Sequence, residues 1–156
     1  MSDDLERVEV IEQTVDVPYE YSYGYDYDRF FEEMRINERI LGRTCPRCDT
    51  VLVPPRPYCG DCYGRTREWV DVGPTAEVLG YGVVHEEFPG QPTEPPYIYV
   101  EVTFEGSDTK VPHVVGGGDV ESLRDKVRPG DEVVPVFKDP ADRTGNWTDI
   151  THFEPK

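Results

Sequence analysis

The spacing of hydrophobic positions first follows a helical period. Four bulky residues fall at i, i+3, i+4 and i+7 and would form one apolar stripe: Tyr27, Phe30, Phe31 and Met34. This spacing predicts an amphipathic helix that ends near Asn37, with Asp26 or Asp28 as its N-cap. An aromatic stripe is more typical of a core than of a cofactor site. In so short a chain, however, the stripe could instead be covered by another subunit.

From about residue 75 onward the pattern favours β-strands. Five segments rich in β-branched and aromatic residues are bounded by glycine or proline, namely 77–85, 97–104, 110–115, 132–138 and 148–153. A short helix is predicted at 120–127, with Asp119 as its N-cap and Pro129-Gly130 as its stop. Three strands, a helix and two strands is the order of a five-stranded OB-fold barrel. The proline-rich loop 86–96 stands where OB-folds have a ligand-binding loop.

The four cysteines of the chain form two C-x-x-C pairs with ten residues between them: Cys45, Cys48, Cys59 and Cys62. Two such turns direct four sulfurs to one centre and predict a closed, structural zinc site. Rubredoxin-type iron could use the same ligands, and two disulfides would need an oxidising compartment. Segments 39–44 and 51–53 are predicted as strands of this ribbon, with Trp69 as its cap.

The N-terminal segment differs from the rest in composition. Residues 1–26 are acidic and tyrosine-rich, and Val8, Val10, Val15 and Val17 alternate with polar residues. This pattern fits either a flexible charged tail or an ordered arm that lies on a partner. We therefore expect a mainly β protein in four segments. These are an acidic arm at 1–26, a docking helix at 27–41, a zinc ribbon at 42–70 and an OB-fold at 71–156.

The charge distribution restricts the partners. The net charge is −16, which opposes nonspecific binding to nucleic acid. Residues 28–67 carry eight arginines against six acidic residues, so the region around the cysteines is a basic island in an acidic chain. The island is either a solvated mixed surface or a docking site for a phosphate-bearing ligand or an acidic partner. The chain has no membrane-length apolar run, and its N-terminus is acidic, so we expect a soluble, cytoplasmic protein.

The sequence shows no evident catalytic set. His85, His113 and His152 each lie in or beside a predicted strand, where packing or surface roles are expected. The cysteines are all assigned to the metal, which leaves none as a nucleophile. Gly116-Gly117-Gly118 could cradle a phosphate, but a glycine-rich loop before a helix is the commoner explanation.

The order of these segments resembles the DUF35 family, also described as acyl-CoA-associated OB-fold proteins with a rubredoxin-like zinc ribbon. The resemblance covers about residues 28–154. It rests on Gly42-Arg43 before the first cysteine pair, Pro54-Pro55-Arg56-Pro57 before the second, Trp69 after the ribbon, Val83-Val84-His85 and Pro95-Pro96-Tyr97 around the long loop, and residues 128–133 before the fourth barrel strand.

This resemblance implies a zinc-containing accessory subunit that is not catalytic alone. Members are partners of thiolase-fold enzymes, including thiolases, condensing enzymes and steroid side-chain aldolases, in which the partner supplies the catalytic residues. Acyl-CoA would then be a shared ligand, and its phosphates could meet Arg56, Arg47 and Arg43. Arg56 is preferred because the neighbouring prolines fix its backbone. The alternative is a single-stranded nucleic-acid-binding protein that stacks bases on Tyr81, Tyr97, Tyr99 and Phe104.

Overall fold

The computed structural model describes residues 17–156, which form an N-terminal helix, a small sheet and a barrel with a short second helix. Three of the four alternating valines of the arm, at positions 8, 10 and 15, lie outside the described residues. Among the described residues, no helix is long and apolar enough to cross a membrane.

Helix α1 spans Gly24–Asn37 and begins earlier than predicted. Neither predicted aspartate caps it, because the N-cap is Tyr23, which makes no side-chain capping bond, and Asp26 lies inside the first turn. Gly24 has φ +76°, a conformation that costs glycine little, so the chain turns into the helix there. At the other end Glu38 adopts the left-handed conformation and its N–H reaches the carbonyl of Met34, which ends the helix before residue 41.

The cysteine-bearing segment forms a three-stranded sheet. Strand β1 (Ile40–Thr44) pairs with β2 (Val51–Leu52) on one side and with β3 (Trp69–Val72) on the other, all antiparallel. Trp69 therefore begins a strand opposite Arg43 rather than standing outside the ribbon as a cap. The predicted hairpin is confirmed to within one residue at each end.

The barrel is closed in the order β4-β5-β6-β8-β7. Its strands are β4 (Ala76–Val84), β5 (Tyr97–Phe104), β6 (Lys110–Val115), β7 (Glu132–Phe137) and β8 (Ile150–Pro155). Helix α2 (Val120–Leu123) lies between β6 and β7 and is four residues shorter than predicted, although Asp119 does cap it by accepting from the Ser122 N–H. The parallel β6–β8 pair closes the predicted OB-fold order.

The three parts share one hydrophobic core. Phe30 and Met34 of the helix stripe are fully buried in the same cluster as barrel residues such as Phe153. Trp147, which lies before β8, packs its ring 5.3 Å from that of Phe30. The aromatic stripe is therefore core within this chain, so any docking by α1 must use its outer face.

Hydrogen bonds also join the ribbon to the barrel. The Val53 N–H donates to Thr109 Oγ1 at 2.7 Å, and that hydroxyl donates back to the Val53 carbonyl at 2.6 Å. The Val51 N–H donates to the Asp108 carboxylate at 2.7 Å. The turn between β5 and β6 thus forms hydrogen bonds with the free edge of β2, and these bonds fix the position of the ribbon on the barrel.

Candidate functional site

The two cysteine turns have the same local geometry. The Cys45 N–H donates to the Thr50 carbonyl at 2.8 Å, and the Cys59 N–H donates to the Gly64 carbonyl at 2.9 Å. The residue after each second cysteine is left-handed, with φ 59° at Asp49 and 57° at Tyr63. This repeated backbone turn brings both sulfurs of each pair to the same side.

The four sulfurs converge on one point. All lie within 4.8 Å of one another, with Sγ–Sγ distances of 3.4 Å for Cys45–Cys62, 3.5 Å for Cys48–Cys62 and 3.7 Å for Cys48–Cys59. Four thiolates at about 2.3 Å from a tetrahedral zinc would lie about 3.8 Å apart, so the cluster fits that ion with little adjustment. The predicted set of four metal ligands is assembled as expected, and its sulfur separations are too long for disulfides.

The close approach of four thiols favours a bound cation. The Arg47 N–H is the main cause that lowers the pKa of the Cys45 thiol. The Gly64 N–H also lowers the pKa of Cys62, but hydrogen bonding to Cys45 and burial outweigh it and raise that pKa to about 12. A metal would allow all four thiolates to ionise together, and with four protein ligands it would leave no open position for a reacting water.

The three predicted phosphate-contacting arginines have different surroundings. Arg43 is largely buried, donates to the Thr66 carbonyl at 3.2 Å and stacks 4.9 Å from the Trp69 ring. Arg47 reaches across the metal site and donates to the Cys62 carbonyl at 3.1 Å. Arg56 is exposed, and no acidic side chain within residues 17–156 lies at ion-pair distance from it. Arg56 is therefore the least committed of the three.

A cleft of about 750 Å³ opens on the barrel between two loops. One loop joins β4 to β5 and contributes Phe88 and Pro92; the other joins β7 to β8 and contributes Trp147. Between the loops, Tyr99 of β5 and Val114 of β6 face each other as cross-strand neighbours. These are the two loops and the strand pair with which OB-folds bind ligands. The first loop was predicted from the sequence, whereas the second was missed.

The cleft also contains polar groups. Lys138 Nζ donates to Thr148 Oγ1 at 3.1 Å at one side. His113 is another lining residue, and its Nδ1 is a buried side-chain atom with no hydrogen-bond partner among the described residues. Burial lowers the pKa of His113, so its imidazole is neutral at physiological pH.

Thr151 and His152 line the cleft, and Glu154 follows them on β8 outside its lining. Thr151 Oγ1 lies 2.9 Å from His152 Nδ1, and His152 Nε2 lies 3.2 Å from Glu154 Oε1. The distances resemble a nucleophile–base–carboxylate set. Thr151, however, donates its hydroxyl proton to the Val136 carbonyl at 3.0 Å, so its oxygen can only accept from the imidazole. The arrangement orients His152 and does not activate Thr151.

The glycine-rich loop after β6 is explained by close packing. A Cβ on Gly116 would lie 2.6 Å from the His152 ring, and one on Gly117 would lie 2.6 Å from Glu154 Oε1. The neighbouring carboxylate opposes a bound phosphate, and α2 is only four residues long. Of the two explanations for Gly116-Gly117-Gly118, the structure favours the loop that permits close approach.

The aromatic residues expected to stack bases are not all accessible. Phe104 is buried in the core and Tyr97 is only 6% exposed, which contradicts that role for both. The two residues lie on opposite faces of β5: Phe104 packs in the core, whereas Tyr97 is among the residues that line the cleft. Only Tyr81 and Tyr99 of the four are exposed.

Comparisons with known proteins agree with this architecture. The ChsH2 rubredoxin-like zinc ribbon domain matches residues 37–68, and the ChsH2 C-terminal OB-fold domain matches residues 69–138. No curated protein matches the chain.

Two solved structures are similar in fold. One, described as the Ltp2-ChsH2(DUF35) aldolase, has 23% sequence identity and a TM-score of 0.60, with 87% of this chain and 98% of that chain covered. The other is a DUF35-family protein of unknown function from Sulfolobus solfataricus, with 18% identity, a TM-score of 0.61 and coverage of 85% and 87%. Because consecutive ChsH2 domain models together match residues 37–138 and the structure has the corresponding two parts, the chain belongs to the DUF35 family of ChsH2-type proteins, in which a zinc ribbon precedes an OB-fold.

Proposed function

We propose that this chain is a non-catalytic accessory subunit that docks on a thiolase-fold enzyme and helps to bind or channel its acyl-CoA substrate. The observation that carries the proposal is the similarity to the whole ChsH2 chain of a structure described as an aldolase, whose name pairs ChsH2 with a second protein, Ltp2. The reaction would be C–C bond cleavage or formation, with the catalytic residues supplied by the partner. We assign this role to the cytoplasm, where four thiolates stay reduced and available to zinc.

The chemistry of the described residues supports a role without catalysis of its own. The four cysteines are gathered into one closed metal site, where they are unavailable as nucleophiles. The hydroxyl of Thr151 is committed to a backbone carbonyl. A chain of this kind would contribute binding and positioning energy rather than a reacting group.

Exposed aromatic residues support docking at the N-terminal side. Tyr19, Tyr21 and Tyr25 are each at least 70% exposed, and Ile36 is exposed on the outer face of α1. Tyrosine gives large contact area at small cost in side-chain entropy and is enriched at interfaces. We therefore propose that residues 17–25 and the outer face of α1 contact the thiolase-fold partner.

The basic ribbon is the proposed contact for the phosphates of CoA. Arg56 is the first candidate for this contact, because it is exposed and has a proline on each side of it in the sequence. Arg47, in the first cysteine turn, is the second candidate. Arg43 should contribute less to CoA binding, because its guanidinium already donates to a backbone carbonyl and stacks on Trp69. Replacing Arg56 by alanine should weaken CoA binding about tenfold, the loss of one charge-assisted hydrogen bond. Replacing Arg124, an exposed arginine on α2's side of the barrel, should leave CoA binding unchanged.

An affinity pull-down tests the docking part. The tagged chain is used to capture proteins from its native lysate at moderate salt, and captured proteins are identified by mass spectrometry. We expect a thiolase-fold enzyme in stable ratio, and we expect its activity on acyl-CoA to need both chains. Recovery of RNA-associated proteins instead, with binding of single strands at low salt, would replace this proposal with the nucleic-acid alternative.

A further inference from the structure

Strand β4 has a free edge over most of its length. On one side it pairs with β5 throughout, apart from a bulge between Val78 and Gly80, but on the other it pairs with β7 only at Ala76 and Glu77. The Val78 N–H and carbonyl extend this second contact to the turn before β7, with bonds of 2.9 Å and 2.8 Å. Beyond Val78, no strand within residues 17–156 pairs with that side of β4. The backbone groups of residues 79–84 that point away from β5 are therefore available to an added strand.

The free edge is uncharged and partly exposed. Segment 78–84 reads Val-Leu-Gly-Tyr-Gly-Val-Val, without a charged residue or a proline, although 31% of the chain is charged. Leu79 is 45% exposed and Tyr81 is 41% exposed. A Cβ built on Gly80 or Gly82 would meet no atom within 4 Å, so this stretch has open space around it. Because exposed edge strands usually carry charges or prolines that keep other strands away, an apolar edge of this kind is typical of one that is covered in an assembly.

The order of residues along the edge is self-complementary. When two copies of the segment are laid antiparallel with Tyr81 opposite Tyr81, apolar residues meet apolar residues and glycine meets glycine. The opposed pairs are Leu79 with Val83 and Gly80 with Gly82. A two-fold axis through the Tyr81 pair generates both halves of the contact at once, as an interface between identical copies requires. Cross-strand pairs of aromatic and aliphatic side chains are the contacts that stabilise a sheet.

The residues at the ends of the edge favour this register over its neighbours. With Tyr81 on the axis, Glu77 of one copy falls opposite His85 of the other. A shift of one residue toward the long loop would set Glu77 opposite Glu86, where like charges repel. A shift of one residue the other way would set Tyr81 opposite Gly80 and would lose the aromatic pair. The charges and the side-chain pairs therefore agree on the same pairing.

We propose that two copies of this chain pair through the free edges of β4, antiparallel and with Tyr81 opposite Tyr81, so that the sheets of the two barrels become continuous. A ladder of about five residues a side buries less than about 1,200 Å², the lower end for stable complexes, so the dimer is weak and forms at micromolar concentrations. The net charge of −16 makes the two copies repel each other, so the dimer strengthens as salt is added. The pairing uses neither α1 nor the ribbon and does not depend on the proposed accessory role.

Sedimentation velocity of the zinc-loaded full chain measures this equilibrium. We expect the mass to rise reversibly from 17.9 kDa toward twice that value between about 1 and 300 µM. The dissociation constant should fall severalfold when NaCl is raised from about 50 to 500 mM. Tyr81→Lys sets two like charges across the axis and should weaken the dimer at least about tenfold. The matched control is Tyr99→Lys, which should leave the dimer unchanged, because Tyr99 is 37% exposed on β5 and both edges of that strand are paired.

A cross-link tests the register. Tyr81→Cys places one new thiol of each copy on the proposed axis, where opposed Cα atoms of an antiparallel pair lie about 4.5–5.5 Å apart, within the range of a disulfide. With oxidised glutathione as the acceptor of the two electrons, non-reducing electrophoresis should show a covalent dimer for Tyr81→Cys and none for Tyr99→Cys. Zinc content and melting temperature, measured on each variant, distinguish loss of pairing from loss of folding.

Three outcomes would overturn the inference. The first is a mass that stays monomeric over the whole concentration range, and the second is a dimer that Tyr81→Lys leaves intact, since the copies would then pair elsewhere. The third is equal cross-linking of the two cysteine variants. A monomer that captures a basic protein through Tyr81, with binding that weakens as salt is added, would assign the edge to a strand of another protein and would also overturn the dimer. Capture of a thiolase-fold enzyme is scored separately, so failure of the dimer and failure of the accessory role are distinguishable.

Discussion

The buried carboxylate of Asp149 organises the loop that carries Trp147. The side chain is fully buried, and its two oxygens accept from the N–H groups of Thr144 at 2.8 Å and Gly145 at 2.7 Å. The Asp149 carbonyl also accepts from the Lys138 N–H at 2.8 Å, which joins the two ends of the loop. Because hydrogen bonds to a charged group contribute about 1.5–3 kcal/mol each, this carboxylate is the main local source of loop stability.

We expect Asp149→Asn to lower the free energy of unfolding by about 2 kcal/mol. The amide keeps the shape and one acceptor oxygen but presents an NH₂ group to the second backbone donor, so one of the two charge-assisted bonds is lost. Urea unfolding of the zinc-loaded protein, followed by tryptophan fluorescence, measures the change. Asp142→Asn, an exposed position in the same loop, should change stability by less than about 0.5 kcal/mol.

The pH dependence of this difference gives a second check. Burial alone would raise the pKa of Asp149, but the N–H groups of Thr144 and Gly145 outweigh it, and the net pKa is lowered. A lowered pKa in the folded state means that the carboxylate stabilises the fold above the unfolded value of about 3.9 and loses this contribution as the pH falls through the folded value. The wild-type advantage over Asp149→Asn should therefore be constant from about pH 8 to 5 and shrink below about pH 4. Equal stability of the two proteins at pH 7 would refute this account of the loop.

Three further predictions address the metal, the glycine-rich loop and the ribbon. Chelation, or Cys48→Ser, should remove one zinc per chain and with it about 10 kcal/mol of binding free energy. Elemental analysis should show the loss of zinc, and thermal unfolding should show a lower melting temperature in the same sample. An unchanged melting temperature after verified metal loss would contradict a structural metal. Gly116→Ala should lower the melting temperature, because the added methyl group would lie 2.6 Å from the His152 ring. The control Gly82→Ala, with no atom within 4 Å of its Cβ position, should lower the melting temperature much less. Equal effects of the two substitutions would argue against the packing explanation. Arg43→Lys should destabilise by about 1 kcal/mol in urea unfolding, since lysine keeps the charge but loses the planar stacking on the Trp69 ring, and wild-type stability would exclude that contact as a source of stability.

The parts that were predictable from the sequence are those with local signals. The spacing of the four cysteines predicts that their sulfurs meet at one point, since each of the two backbone turns lies within one short segment. The bounds of β5 and β6 were predicted correctly because proline, glycine and polar residues bracket two strongly β-forming runs. The order of these elements then identified the barrel.

Contacts without a recognisable sequence signal account for what the sequence did not reveal. Gly24 rather than an aspartate begins α1, and the N-cap residue Tyr23 packs its ring edge-to-face on Phe31 at 5.8 Å, a contact that a search for a capping side chain does not find. The second wall of the cleft depends on Asp149 folding back on Thr144, a contact between residues that look like ordinary polar loop positions. Nor does β3 have a local signal for its partner, since it pairs with β1 across the whole cysteine segment.

The shared core gives the metal site an influence beyond the ribbon. Ile40 and Val53 of the ribbon are buried in the same cluster as Phe30 of α1 and Phe153 of the barrel. The sulfur cluster holds β1 and β2 in register, and β2 in turn is bonded to Thr109 between β5 and β6. Loss of zinc would therefore loosen the part of this core that the ribbon supplies to α1, whose outer face is the proposed docking surface, while the contact of α1 with Trp147 remains. A structural metal in this position would hold the ribbon against the barrel and, through the shared core, the helix face that is proposed for docking.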